Sequence, residues 1–85
     1  MIGLAGLPGS AVMSPARRLS FRGIADDLAE RIRRGEYPPG EQIPSYAQIA
    51  AIYEVSVSTA ARAVGLLSDR GVVYGEPGRG VFVSP

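Results

Sequence analysis

Neither histidine nor cysteine occurs among the 85 residues. The side chains that most often serve as general base, metal ligand or thiolate nucleophile are therefore missing. Eight acidic residues remain for acid–base work, but they are scattered, and no pair is set in an apolar pocket pattern. An enzyme is not expected, and neither a metal nor a cofactor is implied. The lack of cysteine also excludes a disulfide framework, which fits a reducing cytosol. What the chain does carry is nine basic residues, every one an arginine. A guanidinium is a planar fork that matches phosphate oxygens and guanine edges, so recognition is the chemistry to look for. A GC-rich genome leaves the same bias, and the positions of the arginines matter more than their number. The net charge is only +1, so a nucleic-acid partner would have to be held by local charge. Gly3 to Ser10 superficially suggests a phosphate loop, but no lysine follows the last glycine and no strand precedes the first.

The stretch best suited to recognition runs from Glu54 to Leu67. Ser56 is placed to cap a helix, and Val55 to pack back on Ala60 as a hydrophobic staple. At about 100° per residue, Ala60, Ala63, Val64 and Leu67 share one side of that helix. Ser58, Arg62, Gly65 and Asp69 share the other, with Ala61 beside them. A face meant only for water would more often use Glu, Lys or Gln, which are better helix formers. This thin, polar, sterically open face suits the major groove of DNA, where first-turn side chains reach base edges.

Two earlier helices must hold it. Ser20 caps a helix from Phe21, with an apolar stripe of Ile24, Leu28 and Ile32 flanked by Ala25 and Ala29. Asp26 and Asp27 come early and Arg33 and Arg34 late, as the helix dipole prefers, and Gly35 ends it; its charges are expected to form a solvated face. Glu36 to Pro44 carries three prolines and is non-helical, with a short extended piece around Gln42 and Ile43. Ser45 and Gln48 form a capping box for a short second helix that buries Ile49, Ala50 and Tyr53 and ends near Tyr53 or Glu54. The link of about three residues to the next helix is the length of a helix-turn-helix. Gly71 ends the third helix. Val72–Glu76 and Gly80–Val83 then form a hairpin around Pro77, Gly78 and Arg79. The expected fold is mainly α with a small β-hairpin: a three-helix winged helix-turn-helix over residues 17–85, behind a flexible leader of residues 1–16. Met13 is a possible alternative start. No apolar run approaches the roughly 20 residues of a membrane span. Met1 to Val12 lacks a basic region and is broken by Gly3, Gly6, Pro8 and Gly9, so it is not a signal peptide, and a cytoplasmic location is expected.

From Phe21 to Val83 the sequence resembles the DNA-binding domain of GntR-type transcriptional regulators. Ile24, Ala25 and Leu28 through Ile32 and Gly35 are similar to that family's first helix. Tyr37-Pro38-Pro39-Gly40-Glu41-Gln42-Ile43-Pro44-Ser45 matches its hallmark loop, usually Leu-x-Pro-Gly-x-x-Leu-Pro-Ser. Ile49, Ala50, Val55, Ser56 and Thr59 match the helix-turn-helix, and Gly71, Gly78, Arg79, Gly80, Phe82 and Val83 the wing. The resemblance implies sequence-specific binding of double-stranded DNA by a regulator, expected to be a repressor and to gain affinity as a homodimer on a palindromic site. A chain complete at residue 85 would lack the C-terminal effector-sensing and dimerisation domain such regulators usually add. Ala47, Val57 and Ala61 stand where the family usually has arginine. Each bidentate guanine contact so lost is worth roughly 1–3 kcal/mol of base discrimination.

The candidate DNA-binding residues are Ser45, Tyr46, Val57, Ser58, Thr59, Arg62, Gly78 and Arg79. Ser45 is a helix cap whose terminus also suits a phosphate. Tyr46 offers a hydroxyl to the backbone. Ser58 and Thr59 lie where base edges are read, although Thr59 equally suits packing on the second helix. Arg62 is the strongest candidate, with pairing to Asp69 or Glu54 as its alternative. Arg79, between Gly78 and Gly80, suits a narrow minor groove. Arg17, Arg18 and Arg22 suit a basic arm along phosphates, or a basic tail. The rival to DNA binding is a winged helix that docks proteins, which the missing arginines favour.

Overall fold

The computed structural model describes residues 19–85; the leader, Arg17 and Arg18 lie outside them. Three helices, α1 (Phe21–Arg33), α2 (Tyr46–Tyr53) and α3 (Val57–Asp69), precede two strands, β1 (Val73–Glu76) and β2 (Gly80–Val83). Each helix starts on a serine in extended geometry whose hydroxyl accepts a backbone N–H three residues on: Gly23 for Ser20, Gln48 for Ser45 and Thr59 for Ser56. The capping box at α2 is complete, because Oε1 of Gln48 accepts the Ser45 N–H at 2.8 Å. α1 and α3 both stop on a left-handed glycine. Gly35 (φ 85°) and Gly71 (φ 78°) let the next residues turn back, with Glu36 N–H on the Arg31 carbonyl and Val72 N–H on that of Leu67. α2 stops instead on Glu54, the one described non-glycine residue with positive φ (57°). The chain bends by 108° between α2 and α3, within the range of a helix-turn-helix.

α3 is the central element. Its Ala60, Ala63, Val64 and Leu67 are buried against Ile24, Ala25 and Leu28 of α1, Ile49 and Ala50 of α2, and Val73 and Val83 of the hairpin. The strands pair antiparallel in the register Val73 to Val83 and Glu76 to Gly80. The extended piece before α2 joins them. Ile43 N–H donates to the Val81 carbonyl at 2.9 Å, Val83 N–H donates to the Glu41 carbonyl at 2.8 Å, and Gln42 pairs with Phe82. β2 is therefore flanked on both sides, and the loop before α2 is locked to the wing.

The charges of α1 are less free than the sequence suggests. Asp27 accepts hydrogen bonds from the Tyr53 hydroxyl on α2 and from Nε of Arg31 at 3.0 Å. Nη1 of Arg31 also reaches Glu36, and Arg70 beyond α3 reaches Asp26, both at 2.9 Å. The charges of α1 still form a largely solvated face, as expected, but α2 brings the Tyr53 phenol onto Asp27. Among the described residues, no single helix is long and apolar enough to cross a membrane.

Candidate nucleic-acid interface

The outward face of α3 forms as its periodicity requires. Burying the alanine, valine and leucine side leaves Val57, Ser58, Arg62, Gly65 and Asp69 exposed and Ala61 half-buried. The first turn carries a hydroxyl cluster. Ser56 Oγ accepts from Thr59 N–H at 3.1 Å and lies 2.9 Å from Thr59 Oγ1 and 3.1 Å from Ser58 Oγ. Thr59 is half-buried and its hydroxyl is engaged with the cap, whereas Ser58 stays exposed. Gly65 has open space where a Cβ would stand, so packing among the described residues does not require glycine there.

Arg62 takes neither of the pairings that stood as its alternative, with Asp69 or Glu54. Its Cζ lies 4.2 Å from the centroid of the Phe21 ring, the first residue of α1, and Cζ of Arg22 lies 5.6 Å from the same ring. A cation over an aromatic face is attracted by the ring's quadrupole, by about 0.5–1 kcal/mol at an exposed site. Two guanidiniums thus gather at one ring where α1 and α3 meet. Among the described residues, Arg62 has no carboxylate within ion-pair distance. Phe21 holds the arginine in place and leaves its charge uncompensated.

A second cluster forms where α2 begins beside the wing. Ser45, Tyr46, Gln42 and Gly78 line one cleft of about 530 Å³, with Glu76 also at its wall. The Ser45 hydroxyl is committed to the Gln48 N–H at 3.1 Å, and the Tyr46 side chain is exposed. Arg79 projects from the wing tip with 73% of its side chain exposed, and its Nε sits 3.5 Å from Glu76. Gly78 supplies the left-handed turn (φ 75°). The tip is tied down by a residue that sequence reasoning passed over. Nε2 of Gln42 donates to the Arg79 carbonyl at 3.0 Å, and Gly80, with φ 128°, passes so close that a Cβ there would stand 2.2 Å from that nitrogen. The candidate residues therefore fall into two groups. Val57, Ser58, Thr59 and Arg62 lie on α3, and Ser45, Tyr46, Gly78 and Arg79 surround the α2 start and the wing.

Comparison with known proteins places this geometry. Residues 21–83 match the family model described as bacterial regulatory proteins, gntR family. An uncharacterized HTH-type transcriptional regulator of Streptomyces coelicolor, SCO4628, is 40% identical over 63 residues, which are 74% of this chain and 23% of the relative. The DNA-binding domain of AraR, solved in complex with operator ORR3, superposes with a TM-score of 0.71 at 26% identity, covering 75% of this chain and 77% of that one. YtrA from Sulfolobus acidocaldarius, a GntR-family transcription factor, gives 0.69 at 31% identity over 76% of this chain and 55% of its own. The chain spans 14% to 34% of the length of three such curated relatives. With the family model covering every element from α1 to the end of the wing, the chain belongs to the GntR family of bacterial regulatory proteins.

Proposed function

We propose that the chain binds double-stranded DNA sequence-specifically and regulates transcription in the cytoplasm, as a repressor and not as an enzyme. α3 enters the major groove, and the wing lies at the adjacent minor groove. The observation that carries this reading is the outward face of α3. It is largely exposed, free of bulk at Gly65, and flanked by an arginine whose charge no carboxylate among the described residues compensates. The operator complex of AraR supports it, because 77% of that DNA-binding domain aligns with this chain. Ser58 reaches base edges, while Val57 and Thr59 shape the first turn beside them. Arg62 and Arg79 supply charge at two separated points, and the α2 terminus at Ser45 and Tyr46 meets the backbone between them. A single copy with a net charge of +1 binds weakly. Two copies on a palindrome, with half-sites about one helical turn (roughly 34–36 Å) apart, double the contacts.

Selection of binding sites from random duplexes, followed by salt titration of affinity, tests the proposal. An enriched motif is expected for the wild type. Arg62→Ala and Arg79→Ala should each flatten the slope of log affinity against log salt by roughly one unit. No enrichment, with no slope change in either variant, is the result expected of a protein-docking winged helix.

A further inference from the structure

We infer that α3 reads thymine by its 5-methyl group, with Val57 and Ala61 as the specificity-determining side chains; the inference rests on the DNA-binding function proposed above. Val57 is the first residue of α3, and 52% of it is exposed. A β-branched apolar side chain there is a poor helix former left in water, and its place in the fold gives it no core to fill. Ala61 stands one turn further along the same face, and Gly65 one turn beyond that, where a Cβ would meet nothing. The face therefore recedes from an isopropyl group to a methyl to bare backbone. It has no amide or carboxylate in its first two turns to pair with adenine or cytosine.

The arginine on this helix does not supply a guanine fork in its place. Arg62 lies over Phe21, beside Arg22, at the edge where α1 meets α3. Two cations gathered there suit a backbone phosphate better than a base edge. Among groups displayed in the major groove, the C5-methyl of thymine is the apolar one, and side chains that contact it are apolar themselves. Val57 and Ala61 thus match thymine, Ser58 beside them accepts several bases, and guanine contributes little to recognition by this helix.

The duplex selected from the random library provides the test. Each thymine in turn is replaced by deoxyuridine, which removes only the methyl and keeps every Watson–Crick hydrogen bond. Affinity should drop roughly fourfold, the value of one buried methyl, at one or two positions per half-site. At the position that Val57 contacts, Val57→Ser should weaken the sensitivity to deoxyuridine, and where a second position is sensitive Ala61→Ser should weaken it there. Circular dichroism and thermal melting confirm that the variants fold. An enriched motif that tolerates deoxyuridine everywhere overturns the inference and leaves DNA binding standing. So does a sensitivity that neither variant changes. Failure to enrich any motif overturns the DNA-binding proposal itself.

Discussion

A Cβ on Gly80 would collide with the Gln42 amide that anchors the wing tip. The residue also holds φ 128°, a region that side chains rarely adopt. Gly80→Ala must therefore strain the backbone and push the amide off the Arg79 carbonyl. The expected loss of stability is about 1–3 kcal/mol in urea unfolding. Gln42→Ala, which removes only the hydrogen bond, should cost about 0.5–1.5 kcal/mol. If Gly80→Ala unfolds at the wild-type midpoint, the tip is not held this way. Of the two contacts that shape the candidate interface, neither was legible in the sequence. Gln42 reads as one polar residue of a proline-rich loop, and Phe21 as the start of an amphipathic helix. Their partners, the Arg79 carbonyl and the Arg62 guanidinium, reach them only through tertiary packing. The reading of Arg62 as outward-facing survives, but the alternative pairing with Asp69 or Glu54 does not, because the guanidinium lies over the ring of another helix with neither carboxylate in ion-pair range.

At the scale of elements the sequence was informative, because capping and periodicity are local. Three serine caps, a capping box and two glycine stops are each legible within four or five residues. So are the apolar stripe of α1 and the hairpin, since both depend on spacing alone. The docking of residues 41–43 onto β2 was not legible. An extended segment shows no sign of which strand it will join. The turn between α2 and α3 was legible in length but not in conformation, since it sets Glu54 rather than a glycine in left-handed geometry. Gly65 yields a prediction at this scale. Glycine inside a helix is less favourable than alanine by about 0.8–1.0 kcal/mol, and none of the described residues occupies the space beside it. Gly65→Ala should therefore raise the stability of the free protein by nearly that amount. If the α3 backbone approaches DNA at this point, the same methyl should weaken binding. Thermal melting of the free variant and titration with the selected duplex separate the two effects. A variant that is both stabler and binds as tightly would show that DNA does not come close to Gly65.

For the whole molecule, stability depends on ties between helices, because the core is small and built partly of alanine. One of these ties centres on Asp27, joined to Tyr53 of α2 and also to Arg31 of its own helix. The Tyr53 hydroxyl, helped by Arg31, holds the Asp27 carboxyl below its ordinary value near 3.8, against an opposing effect of burial. Burial, reinforced by Asp27, pushes the Tyr53 phenol above its ordinary value near 10. The signs follow from linkage. A carboxyl whose folded pKa is lowered contributes stability above its unfolded pKa and loses it as pH falls through the folded value. A phenol whose folded pKa is raised stays protonated in the fold, so its contribution holds below pH 10 and disappears as pH rises towards the folded value. Wild-type melting temperature should form a plateau through neutral pH, with a fall below about pH 4 and another above about pH 10. Tyr53→Phe keeps the ring but removes the hydroxyl. It should lower the plateau, erase this group's part of the alkaline fall, and soften the acid fall by returning Asp27 towards its ordinary value. Asp27 is partly exposed, so the change on the plateau is modest, about 1 kcal/mol or less. Two melting profiles that run parallel across the whole pH range would show that the phenol and carboxylate do not stabilise one another, and that burial of apolar side chains alone joins α1 to α2.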